Sequence, residues 1–171
     1  MLERHLQEAL ARPVQVHSAR EACDYIIRVF RTLWNFRFFF NGISSLLTES
    51  SQLRSQYDVL LEGVLGTVTT NLVYLQQRGF MLTPREPNTF RLLAENLWAQ
   101  WLSWLRVYHV KNARRMTPSN EALFDGAVHL WSMCQHSLAP AFGSELLEVF
   151  EVFEVFEHRL NGGKRLGQKR R

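Results

Sequence analysis

The chain has 171 residues, is 46% apolar, and carries nine glycines and five prolines; it is long enough to bury a core and too hydrophobic to be a disordered chain. Its formal charge of +4 is concentrated at one end: residues 161–171 hold five basic side chains (Lys164, Arg165, Lys169, Arg170, Arg171) and no acid, leaving 15 basic against 16 acidic residues elsewhere. A near-neutral body excludes a broad phosphate-binding surface, the lack of any run of about 18 apolar residues excludes a transmembrane helix, and two cysteines, Cys23 and Cys134, exclude a disulfide framework.

In chain order, Leu2, Leu6, Ala9 and Leu10 recur at helical spacing and predict a helix over 1–11, ended by Pro13. Ser18 and Glu21 form a capping-box pattern ahead of Ala22, Tyr25, Ile26, Val29, Phe30, Leu33 and Trp34, which predicts a helix over 19–39 broken by Asn41-Gly42. Ile43 to Leu47 reads as a short helical turn or loop. Ser50 or Ser51 caps the next helix, expected to reach Arg78 with Gly79 as its C′ residue. Gly63, Gly66 and several threonines interrupt that helix. Close helix packing is the plain explanation, and a kink or cavity beside a ligand is the sharper one.

A helix over 87–110 is apolar nearly all round, with Leu93, Leu97, Trp98, Trp101, Trp104 and Leu105 and only a thin polar stripe of Asn96, Gln100 and Ser103. Such a helix is buried on most sides. Thr117-Pro118 marks the start of a helix over 117–138. Pro140 ends it, and a last helix follows over 141–160, stopped by Gly162-Gly163. This last helix contains three copies of Glu-Val-Phe. Projected at 100° per residue, Phe142, Leu146, Val149, Phe150, Phe153 and Phe156 share one face, while Leu147, Val152 and Val155 lie on the other. No strand-like alternation appears. The expected fold is all-α, an antiparallel bundle of six to seven helices over 1–160 followed by a basic tail over 161–171.

The sequence offers little to catalysis. No two of the six histidines and two cysteines have metal-ligand spacing, no nucleophile elbow or phosphate loop is present, and the acids gather on a solvated face of the last helix. No cofactor, metal or enzymatic activity is expected. The aromatic side chains are more informative, because bulky flat groups beside a few polar ones line small-molecule pockets as well as cores. Candidate liners are Trp34, Phe38, Val64, Val68, Asn71, Trp98, Gln100, Trp101 and Trp131, with Asn71 and Gln100 as orienting hydrogen-bond groups. The surplus apolar surface of the last helix points to a contact between copies. Leu123, Gly126, Ala127, Leu130, Phe142, Leu146, Val149, Phe150, Phe153 and Phe156 are the candidate contact residues, with Gly126 and Ala127 allowing close approach.

Leu33-Trp34-Asn35-Phe36-Arg37-Phe38-Phe39-Phe40-Asn41, then Leu46-Leu47 and the segment from Ser50 to Tyr57, resemble the regulatory domain of the tetracycline-repressor (TetR) family. Leu92-Leu93-Ala94-Glu95-Asn96-Leu97-Trp98, with Trp101-Leu102 and Trp104-Leu105, is similar to the next helix of these proteins. The resemblance implies a cytoplasmic homodimer that pairs through its last two helices and encloses a small hydrophobic effector, with DNA read by an N-terminal helix-turn-helix. That head is expected to be absent from this chain, either because the sequence is a fragment or because the gene product lacks it, and Met1 to Ala11 resembles the distal half of the helix joining head to body. The expectation is an effector-sensing, dimerising body that does not itself bind operator DNA. The alternative is a headless partner that forms heterodimers with a full-length paralogue and holds no ligand.

Overall fold

The computed structural model describes residues 15–86, 88–112 and 116–151. The helix expected over 1–11, Phe153, Phe156 and the basic tail lie outside the described residues. Ser18 caps the first helix, α1 (Ala19–Asn35), accepting from the Glu21 amide at 3.2 Å, while the Glu21 carboxylate accepts from the His17 amide at 2.8 Å. Two amides at the helix entrance are thus satisfied, although the Glu21 carboxylate takes the His17 amide and not the Ser18 amide of a regular capping box.

The chain then departs from the sequence reading. The interruption falls at Phe36 (φ −103°, ψ 15°), and α2 (Arg37–Glu49) runs straight through Asn41-Gly42. At the interruption the Phe36 amide turns back to the Leu33 carbonyl at 3.1 Å, and the Arg37 guanidinium donates to the Trp34 carbonyl at 3.0 Å. A side chain of the new helix therefore closes the end of the old one. Burial of Phe40 and Ile43 on either side of Asn41-Gly42 holds that pair helical against its poor propensity.

Ser50 caps α3 (Ser51–Gln77) through the Leu53 amide at 3.2 Å. The helix ends in a Schellman turn: Gly79 has φ +75°, its amide donates to the Gln76 carbonyl, and the Phe80 amide donates to the Leu75 carbonyl, both at 2.9 Å. α4 (Thr89–Asn112) begins two residues beyond the expected start. α5 (Asn120–Cys134) is capped by Ser119 rather than Thr117, its hydroxyl accepting from the Ala122 amide at 3.2 Å. The choice is tertiary. The Tyr108 hydroxyl lies 3.1 Å from Ser119 Oγ and accepts from the Ser119 amide at 2.9 Å, which fixes where the helix begins. A 3-10 turn (Gln135–Ser137) ends α5 earlier than expected, and a sixth helix, α6, follows over 140–151.

α4 lies at the centre, packed against α1, α2, α3 and α5, as its all-round apolar sequence demands. Trp98, Trp101, Trp104 and Leu105 are buried on it, and the Trp104 indole donates to the Ala122 carbonyl at 2.9 Å. The two loops at one end are laced together. Leu82 donates to the Ser137 carbonyl at 2.8 Å and Ala139 to the Phe80 carbonyl at 2.9 Å around a Met81–Leu138 bridge, with Phe80 stacked on Phe142 at 4.4 Å. That isolated bridge is the only strand-like pairing among the described residues, so the fold is all-α.

Candidate functional site

α1, α3, α4, α5 and α6 leave between them a cavity of ≈ 110 Å³. α1 contributes Ala22, Tyr25 and Ile26, and α3 contributes Val68, Asn71 and Leu72. Trp101 comes from α4, and Trp131 and Cys134 from α5. Met81 and Leu138, the bridged loop residues, form part of the rim. The wall is almost wholly apolar, and none of the described residues on it is charged.

Its polar groups are few. Asn71 donates to the Tyr25 hydroxyl across a long 3.5 Å. Burial pushes the Tyr25 phenol above its ordinary range, against smaller downward pulls from the Asn71 hydrogen bond and the Arg28 charge, so this group is a neutral hydroxyl at physiological pH. The indole N–H groups of Trp101 and Trp131 are buried behind the wall and have no hydrogen-bond partner among the described residues. Burial likewise pushes the Cys134 thiol up to about 12. A thiol held protonated in this way is a wall atom and a poor nucleophile. An apolar hollow with a few polar groups and no charge suits retention of a neutral hydrophobic molecule.

Four of the residues predicted to line a pocket, Val68, Asn71, Trp101 and Trp131, stand on this wall. The other five lie elsewhere. Trp34 is fully buried near the α1–α2 interruption, where its indole donates to the Met116 carbonyl at 2.9 Å. Phe38 is 66% exposed, beneath the Arg37 guanidinium (4.4 Å) and edge-on to His109 (5.6 Å). Val64 is buried one turn before Val68, Trp98 packs edge-on to Phe40 at 5.7 Å, and Gln100 is half-buried off the wall. Tyr25, Cys134, Phe142 and Leu146 are wall residues that the sequence reading did not assign to a pocket. Tyr25 carried a usable signal, being the one hydroxyl on the apolar stripe of α1.

Of the residues expected to touch a second copy, the eight described ones face inward. Leu123, Gly126, Ala127, Leu130, Phe142, Leu146 and Phe150 are buried within one copy, and Val149 packs half-buried against them. The smallness of Gly126 is already used inside the chain, since a Cβ there would lie 2.7 Å from Phe30 Cζ. Val128 and Leu147 on these two helices are half-buried and stand outside the core cluster, whereas the half-buried Phe124 packs against it, edge-on to Phe150 at 6.3 Å. Gly63 and Gly66 of α3 are exposed, with nothing within 4 Å of a Cβ at either; neither close packing nor a cavity accounts for them.

Among the described residues no three His, Cys, Asp or Glu side chains are gathered as a metal site would need, and no helix is long and apolar enough to cross a membrane. Residues 1–145 match the family model of TetR, described as a bacterial transcriptional repressor. No curated protein matches the chain. Among solved structures, the chain is similar to a TetR-family transcriptional regulator from Marinobacter aquaeolei VT8. The TM-score is 0.72 at 20% identity, over 89% of this chain and 71% of that one. At that identity the likeness is one of fold.

Proposed function

This chain belongs to the TetR family of bacterial transcriptional repressors, and from that premise we propose that its helical body senses a small apolar or aromatic effector in the cavity between α1 and α6. One observation carries the reading: the cavity lies at the meeting of five helices, and the described residues of its wall are uncharged and almost wholly apolar. Its ≈ 110 Å³ is of the order of the roughly 150 Å³ in which an engineered apolar cavity holds benzene, so the fitting ligand is compact, about one ring in size. Because every one of the five helices contributes to the wall, a molecule bound there favours whichever helix arrangement fits it best, which is how an effector shifts a regulator between states.

Regulators of this family act as dimers and bind DNA. In the proposed reading two copies pair through α5 and α6, using the half-buried Val128 and Leu147 in place of the side chains already buried within each copy. Operator contact falls to residues other than the near-neutral body described here.

Trp101 and Trp131 on the wall provide the readout. Titration with a panel of neutral one-ring compounds is expected to give a saturable change in tryptophan emission and a raised melting temperature. A panel that gives neither removes the effector reading.

A further inference from the structure

The Glu-Val-Phe repeat plays no part in the effector reading, and it leaves the described structure beside a segment of opposite charge. From 137 to 157 the chain has five acids (Glu145, Glu148, Glu151, Glu154, Glu157) and no lysine, arginine or histidine. Between Glu95 and Glu121 it has Arg106, Lys111, Arg114 and Arg115 and no acid. The connection from α4 to α5 is the centre of that basic stretch, and it is flanked by bare apolar side chains: Val110 is 78% and Met116 79% exposed. Met116 is nevertheless held in place. Its carbonyl accepts from the Trp34 indole at 2.9 Å, and the Tyr108 hydroxyl ties α4 to the Ser119 amide at 2.9 Å.

The repeat points at this connection. α6 runs antiparallel to α5: near its start a Cβ on Gly143 would lie 3.7 Å from Leu138 Cβ, and near its described end Phe150 meets Phe124, ring centres 6.3 Å apart. Phe124 stands about one turn inside α5, which begins at Asn120. At 1.5 Å per residue, six more residues of the helix expected over 141–160 reach about 9 Å past Phe150, level with the segment from Met116 to Ser119. On the projected wheel Phe153 and Phe156 continue the face of Leu146 and Phe150, both of which are buried. Past Asn120 that face has no more of α5 to pack on, and the connection is the next surface along its path.

We propose that residues 152–157 strap the α4–α5 connection of their own chain, with Phe153 and Phe156 covering Met116 and with Glu154 and Glu157 set among Lys111, Arg114 and Arg115. Apolar cover supplies most of the contact, since exposed ion pairs contribute little. The opposite charges fix which segment lies there and in what register. The strap is independent of whether the cavity holds an effector.

Methionine oxidation reads the cover directly. The full chain and its variant Phe153→Ser/Phe156→Ser are treated with dilute hydrogen peroxide, and sulfoxide at each methionine is followed by peptide mass spectrometry. Met116 in the parent is expected to oxidise about fivefold more slowly than free methionine, and to approach the free rate in the variant. Met81, 4% exposed, stays slow in both and shows that the variant is folded. Glu154→Lys/Glu157→Lys is expected to speed Met116 oxidation by about two- to fivefold at low salt and by less at high salt. If Met81 also becomes fast in the phenylalanine variant, this charge-reversed chain, which removes no apolar side chain, decides alone. A parent Met116 as fast as free methionine, or a rate that either set of substitutions leaves unchanged in a folded chain, overturns the proposal. So does protection that is lost on diluting the protein, which assigns the cover to a second copy.

Discussion

The ring of Phe30 fills the place where a side chain at position 126 would begin: a Cβ on Gly126 would lie 2.7 Å from Phe30 Cζ and 2.9 Å from Cε1. Phe30 has no room to give way, being fully buried and packed against Trp104 with ring centres 4.4 Å apart. The α1–α5 contact is therefore set by a missing methyl group. Gly126→Ala is expected to destabilise the fold by about 1–3 kcal/mol through overpacking, even though alanine improves helix propensity by about 1 kcal/mol. Urea unfolding measures the balance. Adding Phe30→Leu to Gly126→Ala is expected to recover part of the loss, since the two positions share one space. A single variant as stable as the parent would show that α5 slides freely on α1.

Gly63 and Gly66 predict the opposite sign. Both sit in the interior of α3, exposed, with open space where a Cβ would go. Alanine at either position adds no clash and restricts the unfolded chain, so each substitution is expected to stabilise by roughly 0.5–1 kcal/mol. Thermal unfolding of the two single variants and the double variant checks both sign and additivity.

Arg37 is the hinge piece. It is 6% exposed, donates to the Trp34 carbonyl at 3.0 Å, and has its guanidinium carbon 4.7 Å from the Trp34 ring centre and 4.4 Å from that of Phe38. Arg37→Ala removes a charge-assisted hydrogen bond and the packing between two rings, an expected loss of about 2–3 kcal/mol in denaturant unfolding. Arg37→Lys is expected to recover less than half of it, because an ammonium has no flat face to lie between the rings.

Much of the fold was legible in the sequence, and the failures have identifiable causes. Ser18 with Glu21, Ser50 and Gly79 mark helix ends by local chemistry, and each stands where that chemistry requires. The long apolar run from Phe90 to Trp104 identifies the helix that packs against four others, although Leu92, 57% exposed, lies on its open face. What could not be read was anything decided by distant residues. Asn41-Gly42 stays helical because Phe40 and Ile43 are buried, and the helix yields at Phe36, where Arg37 reaches back to Trp34. Ser119 caps in place of Thr117 because Tyr108, eleven residues earlier, holds it. The candidate site divides the same way. Val68 and Trp101 were identifiable as apolar positions on long helices, but which turn of each helix reaches the cavity depends on how five helices cross. The smallness of Gly126 is plain in the sequence, while the neighbour that needs it small sits on α1.

The buried thiols set an alkaline limit. Burial pushes both Cys23 and Cys134 up to about 12 from an ordinary 9.0. Above pH 9 the unfolded chain releases these protons while the folded chain keeps them, so the unfolded state binds fewer protons and stability falls as pH rises. The stability is fully present below pH 9 and is lost progressively between 9 and about 12. Unfolding midpoints are expected to be flat from pH 7 to 8.5 and to drop steeply from 9 to 11. Cys23→Ala is expected to reduce that slope, because this thiol is fully buried. An unchanged slope would assign the alkaline loss to other groups.

Filling the cavity tests it without touching its polar groups. Val68 is buried on the wall, and Val68→Phe places the added carbons in the ≈ 110 Å³ space. Binding of one-ring probes is expected to fall at least tenfold, while helical circular dichroism and the unfolding midpoint stay close to the parent, since added atoms that enter a void cause little strain. Undiminished binding would place the probes elsewhere on the molecule.

The bridge between Met81 and Leu138 ties together two connecting segments that would otherwise move separately, and both residues belong to the cavity rim. Backbone bonds from Leu82 and Ala139 and the Phe80–Phe142 stack seal the junction. Traffic through this side of the hollow then depends on a single concerted rupture of that junction. The amides of Leu82 and Ala139 should exchange with solvent deuterium slowly and at matched rates, despite lying outside any helix. A molecule leaving the cavity by this side would have to break the same junction, so on that route its residence time is expected to match the exchange of these two amides.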